Sequence, residues 1–361
     1  MIETILQNIK QSIREIPGYE PPPFECRIKL NQNENPYSLP VEFKHRVAAE
    51  LEAMEWGRYP SSDANDLKHC LSHYHDFPES GILVGNGSNE LIQALALATL
   101  SKGDTLLLAS PTFSLYKLLG SVLEARIVQI PLLPDFSYDV ESLVSAAKRE
   151  KPKLTILASP NNPTGISLSE GAVQELVKIS SGFVAIDEAY IEFAPKPEGS
   201  KGLIERYPNL IVTRTYSKAM SAAGIRLGYM LANPQVAQEI NKVRLPYNLG
   251  KFSRCAAIRL LEARDILKVQ IAEIISQRER LFREMTEIPN IKVHKSDANF
   301  LLMECLTLPA SMVFERLQQQ GILVRNISNY PLLSRGLRVS VGTREENSIF
   351  LSTLKEIMTV R

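Results

Sequence analysis

The sequence is poor in cysteine, in long apolar runs and in any excess of one charge. Its 361 residues contain four cysteines, none in a Cys-x-x-Cys pair, so neither a zinc site nor a disulfide framework is indicated and a reducing compartment fits. No apolar run approaches the roughly eighteen residues that a membrane-spanning helix requires. The first residues alternate apolar and polar side chains, unlike a signal peptide. We therefore expect a cytoplasmic protein without a bound metal.

The charged side chains almost cancel, with 41 basic and 40 acidic residues. A chain without a run of like charge lacks the electrostatic attraction that brings proteins to nucleic acids or membranes. We expect small-molecule partners, no nucleic acid and no membrane. The length also exceeds what one hydrophobic core usually holds, which predicts more than one domain.

Short apolar segments alternate with helical segments through most of the chain. The candidate strands are Ile82–Val84, Thr105–Ala109, Arg126–Ile130, Leu154–Ala158, Phe183–Ile186 and Leu210–Thr213. Such alternation predicts an α/β fold with a mostly parallel sheet covered by helices on both faces. After Gly250 the pattern changes to a long helical stretch, Ser253 to about Glu287, followed by mixed strands and helices.

Three parts of the chain follow from these patterns. Residues 1–39 are predicted to form an N-terminal arm, with a helix from Met1 to Ile16, that packs on the small domain or on a partner chain. Residues 40–250 are predicted to form a large domain. Residues 251–361 are predicted to form an interdomain helix and a small α+β domain.

A lysine, an arginine and an aspartate stand at spacings suited to an aldehyde cofactor that carries a phosphate. Lys218 closes the motif Arg-Thr-Tyr-Ser-Lys, Arg226 follows eight residues later, and Asp187 lies thirty-one residues before Lys218. A desolvated lysine amine can form a Schiff base with a carbonyl. Because Asp187 directly follows an apolar strand, we expect its carboxylate at the carboxyl end of a parallel sheet, where ligands bind.

These three residues are the types that pyridoxal 5'-phosphate requires for its aldehyde, its ring nitrogen and its phosphate. A carboxylate about 4 Å from the pyridine nitrogen is worth roughly 4 kcal/mol at an effective dielectric constant of 20. Asp187 would therefore keep the ring protonated, and the protonated ring is an electron sink. Arg226 would bind the phosphate as a bidentate fork, with the Ser217 hydroxyl beside it.

Further motifs supply candidate ligands at the ends of other strands. The turn Gly85-Asn-Gly-Ser-Asn89 precedes a helix and would favour a phosphate, although Glu90 stands where a dinucleotide fingerprint requires its third glycine. Asn162 and Tyr190 could hydrogen-bond the phenolic oxygen of the cofactor, and Phe113 could stack on its ring. Arg325 and Arg338 could clamp an anionic substrate.

Longer motifs carry a resemblance that runs from about Leu30 to Asn347. They are Leu30-Asn-Gln-Asn-Glu-Asn-Pro-Tyr37, Arg58-Tyr-Pro60, Gly85-Asn-Gly-Ser88, Ser159-Pro-Asn-Asn-Pro-Thr-Gly165, Asp187-Glu-Ala-Tyr-Ile-Glu-Phe193, Arg214-Thr-Tyr-Ser-Lys218, Lys242-Val-Arg-Leu-Pro-Tyr-Asn248 and Leu337-Arg-Val-Ser-Val-Gly-Thr-Arg-Glu-Glu-Asn347. The sequence is similar to fold type I, class II aminotransferases, and within them to the histidinol-phosphate aminotransferase subfamily. The resemblance implies a seven-stranded type of sheet in the large domain.

The resemblance also implies a reaction and a set of site residues. The reaction is the ping-pong transfer of an amino group from histidinol phosphate to 2-oxoglutarate in histidine biosynthesis. A homodimer is implied, in which Tyr59 reaches the cofactor phosphate of the other subunit. The implied catalytic residues are Lys218, Asp187 and Tyr190. The implied cofactor-binding residues are Gly87, Ser88, Asn89, Phe113, Asn162, Asp187, Tyr190, Thr215, Ser217, Lys218, Arg226 and Tyr59. The implied substrate-binding residues are Tyr19, Asn33, Tyr59, Asn162, Arg325 and Arg338.

Some residues depart from the family pattern, and other functions share parts of it. Asn89 stands where Asp is usual, Ser38 where Gly is common, and Met220-Ser221 where Phe-Gly is commoner.

A threonine-phosphate decarboxylase and a broad-specificity aromatic aminotransferase would carry the same lysine, aspartate and phosphate motifs. Ser114-Leu-Tyr-Lys117 fits an acyl-serine hydrolase, but no Ser-Asp-Asn or Lys-Thr-Gly accompanies it. A non-catalytic binding protein would be expected to have lost Lys218 or Asp187.

Overall fold

The computed structural model describes residues 2–16, 18 and 26–359. Its strands are β1 (Ile28–Lys29), β2 (Ile82–Gly85), β3 (Thr105–Ser110), β4 (Arg126–Pro131), β5 (Leu154–Ala158), β6 (Phe183–Asp187), β7 (Leu210–Thr215), β8 (Gly228–Leu231), β9 (Ile291–His294), β10 (Phe300–Cys305), β11 (Ile322–Leu323), β12 (Arg325–Asn326) and β13 (Gly336–Ser340). Its α-helices are α1 (Ile2–Leu6), α2 (Gln11–Arg14), α3 (Val41–Ala53), α4 (Asn65–His75), α5 (Ser88–Thr99), α6 (Ser114–Val122), α7 (Val140–Glu150), α8 (Glu170–Ile179), α9 (Pro234–Asn241), α10 (Lys251–Glu262), α11 (Arg264–Thr286), α12 (Ala310–Gln319) and α13 (Arg344–Thr359).

Seven strands form the central sheet, in the order β2-β8-β7-β6-β5-β3-β4. Neighbouring strands from β7 to β4 run parallel, whereas β8 is antiparallel to both β2 and β7. The sheet is therefore mostly parallel, as the sequence predicts, and has one reversed strand.

The central strands are apolar along their whole length because both faces of the sheet are covered. Every residue of β3, β5 and β7 is buried. One apolar core includes Leu107, Leu157 and Val212, and a second includes Leu106 and Ile156. Since neighbouring residues of a strand point to opposite faces, the two cores lie on the two sides of the sheet.

The C-terminal part of the chain builds an antiparallel sheet of four strands, in the order β12-β13-β10-β9. A separate parallel pair joins β1 near the N-terminus to β11. The apolar core beside these strands includes Ile28 and Leu30 together with Phe300 and Phe350. Residues 28–30 thus pack with the C-terminal part of the chain, whereas α2 packs against α6. The predicted domain boundaries remain predictions.

Two predicted helices are interrupted. The prediction of one helix from Met1 to Ile16 is wrong for the described residues, which form α1 and α2 separated by residues 7–10. Between them the Asn8 side chain donates to the Ile5 carbonyl at 3.2 Å, and such side-chain bonds compete with the helix backbone. The stretch from Ser253 to Glu287 is divided into α10 and α11 at Ala263, where no glycine or proline marks a break.

The helices that the structure describes include none long and apolar enough to cross a membrane. The four cysteines, Cys26, Cys70, Cys255 and Cys305, are free thiols.

Candidate active site

The predicted site residues follow strands whose carboxyl ends share one edge of the central sheet. Asp187 ends β6, and Lys218 follows β7, its parallel neighbour. Asn162 follows β5 on the other side of β6. Ligands of open α/β sheets bind outside this edge, so the fold brings together groups that lie far apart in sequence.

Asp187 lies in a buried, hydrogen-bonded position at the end of β6. Its side chain accepts hydrogen bonds from the Tyr116 hydroxyl at 2.6 Å and the Thr213 hydroxyl at 3.2 Å. Burial raises the pKa of Asp187, while these two hydrogen bonds lower it. The two hydrogen bonds thus orient the carboxylate and stabilise its ionised form, which a partner for a cationic ring nitrogen requires.

Lys218 is partly buried, and its Nζ donates to the backbone carbonyl of Gln32 at 2.8 Å. Removal of the amine from water lowers the pKa of Lys218 to about 7, and the nearby positive charge of Arg338 acts in the same direction. An amine with this pKa is substantially neutral at neutral pH. It can therefore attack a carbonyl or accept a proton.

A glycine turn and an arginine form a cradle on the same edge. Gly87 has a φ of 79° and precedes α5, and a Cβ added there would lie 2.9 Å from Arg226 Nη2. Arg226 Nη1 donates to Ser217 Oγ at 3.2 Å, and the Ser217 amide donates to Thr215 Oγ1 at 3.1 Å. Ser88, at the start of α5, is buried. A guanidinium, hydroxyls and a helix N-terminus together fit a phosphate.

The two asparagines after β5 have different roles. Asn161 is buried, and its side chain forms hydrogen bonds with neighbouring loops. It accepts from Thr112 Oγ1 at 2.9 Å and donates to Thr164 Oγ1 at 2.8 Å. Asn162 Oδ1 instead accepts from Arg338 Nη1 at 2.5 Å. Asn161 therefore fixes the turn, and Asn162 reaches the arginine of the C-terminal sheet.

Arg325 and Arg338 lie opposite each other in the antiparallel pair of β12 and β13. Directly opposed residues of such a pair have their side chains on the same face, where two like charges are unfavourable. Arg338 is buried, and its Nη2 donates to the Asn31 carbonyl at 2.7 Å. Two guanidinium groups on one face favour an anion beside them.

Tyr190 and Asn33 join the N-terminal segment to the site. Asn33 Nδ2 donates to Tyr190 Oη at 3.0 Å, and both residues are buried. Ser340 Oγ donates to Asn33 Oδ1 at 2.9 Å. The Tyr190 ring also lies near Lys218, whose Nζ is 5.8 Å from the ring centroid.

Other predicted residues lie at the margin of this cluster or outside it. Phe113 precedes α6 and packs edge to face on Tyr116, with ring centroids 5.6 Å apart. Asn89 is exposed. Tyr59 is 81% exposed and stacks on Tyr247 of the same chain, with centroids 4.7 Å apart. Tyr19 lies outside the described residues.

The sequence reasoning missed three groups that support the site. One is Tyr116, which donates to Asp187. Thr213 is the second donor to that carboxylate. The Gln32 carbonyl, which accepts from Lys218, is a backbone group and has no residue-type signal at all.

The site has donors for an organic cofactor, and its chemistry identifies a class of enzyme. Across the described ranges no group of three or more His, Cys, Asp or Glu residues is arranged to hold a metal ion. A lysine amine, a buried carboxylate and a phosphate cradle on an α/β sheet instead define a pyridoxal-phosphate-dependent enzyme of fold type I. The chain belongs to the family described as aminotransferase class I and II, which it matches over residues 27–354. It is a pyridoxal-phosphate-dependent aminotransferase.

Curated relatives cover nearly the whole chain. It is 38% identical over 333 residues to a histidinol-phosphate aminotransferase of Chlorobaculum tepidum, covering 92% of this chain and 95% of the relative. It is 37% identical over 359 residues to a histidinol-phosphate aminotransferase of Caldanaerobacter subterraneus subsp. tengcongensis, covering 99% of this chain and 100% of the relative.

Solved structures share the fold at lower identity. The histidinol-phosphate aminotransferase from Sinorhizobium meliloti in complex with pyridoxal-5'-phosphate has a TM-score of 0.87 at 24% identity, covering 97% of each chain. The L-threonine-O-3-phosphate decarboxylase from Porphyromonas gingivalis has a TM-score of 0.81 at 19% identity, covering 92% of this chain and 100% of the other. At these identities the likeness concerns the fold alone.

Proposed function

We propose that the enzyme transfers the amino group of histidinol phosphate to 2-oxoglutarate, giving imidazole acetol phosphate and glutamate, as a step of histidine biosynthesis. The observation that carries this choice of substrates is the opposed pair of Arg325 and Arg338 on β12 and β13. Two guanidinium groups suit a donor that carries a phosphate and an acceptor that carries two carboxylates. The names of the curated relatives support the same donor.

The cofactor would be held by groups on the carboxyl edge of the central sheet. Lys218 would bond to its aldehyde, and Asp187 would pair with its ring nitrogen. The phosphate would lie among Gly87, Ser88, Asn89, Thr215, Ser217 and Arg226. Asn162 and Tyr190 would hydrogen-bond the phenolic oxygen, and Phe113 would pack against the ring. When bound, the cofactor supplies an electron sink for the charge left when the donor loses a proton.

Lys218 is the proposed base for that proton. With a pKa of about 7, its free amine is neutral often enough at neutral pH to accept the donor's α-proton. The positive charge of Arg338, which helps to lower this pKa, would also bind the carboxylate of glutamate or 2-oxoglutarate. Arg325, Tyr19, Asn33 and Tyr59 would complete the substrate site, with Arg325 and Arg338 receiving the phosphate of the donor.

The proposed enzyme is a cytoplasmic homodimer. Tyr59 is 81% exposed. Trp56 and Phe252, which pack edge to face, are 68% and 46% exposed. Exposed aromatic side chains of this kind are common at subunit interfaces. Tyr59 would bind the cofactor phosphate of the other subunit.

The test is a single half-reaction with each candidate amine, without 2-oxoglutarate. We expect histidinol phosphate to convert the bound cofactor rapidly to its amine form. The change in absorbance measures this conversion. Release of carbon dioxide from phosphothreonine without this conversion would favour a decarboxylase. Equal rates with phenylalanine or tyrosine would favour an aromatic aminotransferase. Lys218→Ala is the control, and it should neither convert the cofactor nor retain it after borohydride treatment.

A further inference from the structure

Two short segments meet above the lysine. Residues 32–37, here called the roof segment, contact residues 218–221, here called the lysine loop, through three hydrogen bonds. Lys218 Nζ donates to the Gln32 carbonyl at 2.8 Å, and Asn35 Nδ2 donates to the Ala219 carbonyl at 3.3 Å. The shortest of the three is donated by Ser221 Oγ to the Tyr37 carbonyl, at 2.6 Å.

Ser221 makes this bond from a backbone conformation that disfavours it. Its φ is 53°, in the left-handed region where glycine is the usual residue and a Cβ is unfavourable. A glycine here would remove the strain but would also remove the hydroxyl. The hydrogen bond to Tyr37 is therefore what a serine adds at this position.

Buried hydrogen bonds hold one end of the roof segment. The Asn33 amide donates to Ser340 Oγ at 2.8 Å, and Asn299 Nδ2 donates to the Asn33 carbonyl at 3.0 Å, all within buried surroundings. At the other end the Tyr37 side chain packs against the apolar core that includes Phe300. The bonds from Gln270 are longer there, with Asn35 Nδ2 donating to Gln270 Oε1 at 3.3 Å and Gln270 Nε2 donating to the carbonyl of Ser38, the next residue, at 3.2 Å. Ser221 therefore supplies the closest attachment of the far end.

We propose that Ser221 is a positioning residue that fastens the roof segment to the lysine loop and so keeps the Gln32 carbonyl and the roof over Lys218. The proposal rests on the proposed role of Lys218 as the reactive amine. Ser221 acts through the roof segment and does not itself contact the amine. Its loss should loosen residues 34–38 and admit water to Lys218.

The matched variants are Ser221→Ala and Ser221→Gly. Both remove the hydroxyl, but only glycine relieves the left-handed backbone. The Tyr37 amide donates to Asn35 Oδ1 at 2.9 Å. In the apoprotein we expect hydrogen exchange of this amide to be faster by about fivefold in both, the factor that corresponds to one net hydrogen bond. Ser221→Gly should unfold at a higher temperature than Ser221→Ala. Ser352→Ala, which removes a serine bond to the Ile349 carbonyl on α13, is the control.

A second measurement separates positioning from a purely structural role. The pH dependence of Lys218 acylation in the apoprotein reports the state of the amine. Burial is the largest cause of the low pKa of Lys218, so admitting water should move the midpoint of labelling to higher pH in both variants. With the loaded enzyme, we expect kcat to fall while the KM for the amine donor changes less.

One outcome overturns the proposal. Suppose that Ser221→Gly has the exchange rates and the labelling midpoint of the natural protein. Ser221 then only occupies a position where glycine is common, and its hydroxyl does not hold the roof segment against the lysine loop. Failure of the natural protein to use histidinol phosphate would refute the proposed donor instead. The exchange and labelling results, obtained on the apoprotein, would still decide the role of Ser221.

Discussion

Tyr116 donates a 2.6 Å hydrogen bond to the carboxylate of Asp187, and both side chains are buried. Burial alone would raise the pKa of Asp187 and favour its neutral form, whereas the hydrogen bond favours the charged form. A neutral Asp187 could not keep a pyridine ring protonated. Tyr116 therefore serves the proposed chemistry without belonging to the motifs that identify the family.

The first prediction is that Tyr116→Phe impairs catalysis more than binding. A hydrogen bond to a charged group contributes roughly 1.5–3 kcal/mol, so we expect kcat to fall about 10- to 100-fold. Loss of this bond should raise the pKa of Asp187, and the acidic limb of the pH–rate profile should move to higher pH.

Tyr138→Phe is the control for this variant. The Tyr138 hydroxyl is also buried but donates to the Ala158 carbonyl. Its removal should leave the acidic limb in place. An equal shift in both variants would mean that general loosening, and not the bond to Asp187, is responsible.

The sequence predicts the parts of the site that depend on local pattern. An apolar run followed by an acidic residue marks the end of β6, and the Arg-Thr-Tyr-Ser-Lys motif marks the loop after β7. It does not predict Tyr116, because the pairing with Asp187 spans 71 residues and arises only when α6 and β6 are packed together. The reversed strand β8 is missed because it begins with a glycine and follows β7 without an α-helix between them, which breaks the strand–helix alternation.

Backbone conformation is a second source of missed features. Ser221 appears in the sequence only as a departure from a common glycine. The structure gives it a φ of 53° and a bond to the Tyr37 carbonyl. Ser38, another such departure, is not among the residues with positive φ, so a side chain is tolerated there without strain.

The second prediction concerns the pH dependence of Lys218. Its pKa of about 7 lies below the ordinary value, so in the apoprotein an amine-selective acylating reagent should label it with a midpoint near pH 7. Hydrogen bonding to Glu124 raises the pKa of Lys102, which should be labelled only at much higher pH and is an internal control. Peptide mapping by mass spectrometry measures both, and coincident midpoints would contradict the prediction.

The same pKa has a consequence for stability. Because the folded pKa of Lys218 is lowered, the unfolded chain binds more protons between about pH 7 and pH 10. The contribution of this group to the free energy of unfolding should therefore rise with pH across that window. Lys218→Met should remove this part of the pH dependence in thermal unfolding of the apoprotein.

The third prediction is that Asp187→Asn keeps the fold but loses the chemistry. Tyr116 and Thr213 donate to different oxygens of Asp187, so the amide oxygen can still accept from one hydroxyl while the other hydroxyl turns to accept from the amide NH2. We therefore expect the cofactor to bind. A neutral partner leaves the ring a poor electron sink, and exchange of the donor's α-proton with solvent should fall by several orders of magnitude. Nuclear magnetic resonance of the donor measures this exchange. Exchange at the natural rate would exclude the proposed role of Asp187.

The fourth prediction tests whether Tyr59 serves the other subunit of the proposed homodimer. Homodimers of Tyr59→Ala and homodimers of Lys218→Ala should each have very low activity. A heterodimer of the two should contain one intact site, which combines Lys218 from one chain with Tyr59 from the other. Activity should appear when separately tagged chains are unfolded, mixed and refolded. No recovery from verified heterodimers would indicate that Tyr59 acts in its own subunit.

The last prediction separates the two substrates at the opposed arginines. Arg325 is proposed to contact only the phosphate of the donor, while Arg338 is needed in both half-reactions. Arg325→Ala should therefore weaken histidinol phosphate by roughly 2–4 kcal/mol, the usual loss for a desolvated charge-assisted pair, and affect glutamate much less. Arg338→Ala should impair both. The concentration dependence of each half-reaction measures these losses.

Arg335→Ala is the matched control for the arginine variants, because Arg335 is an exposed residue that donates to the Leu306 carbonyl just before β13. Its loss removes one positive charge from the same sheet without removing a charge from the opposed pair. Both half-reactions should then keep nearly their natural dependence on concentration. If Arg325→Ala weakens glutamate as much as histidinol phosphate, the arginine is not selective for the phosphate, and the choice of donor must rest on other residues.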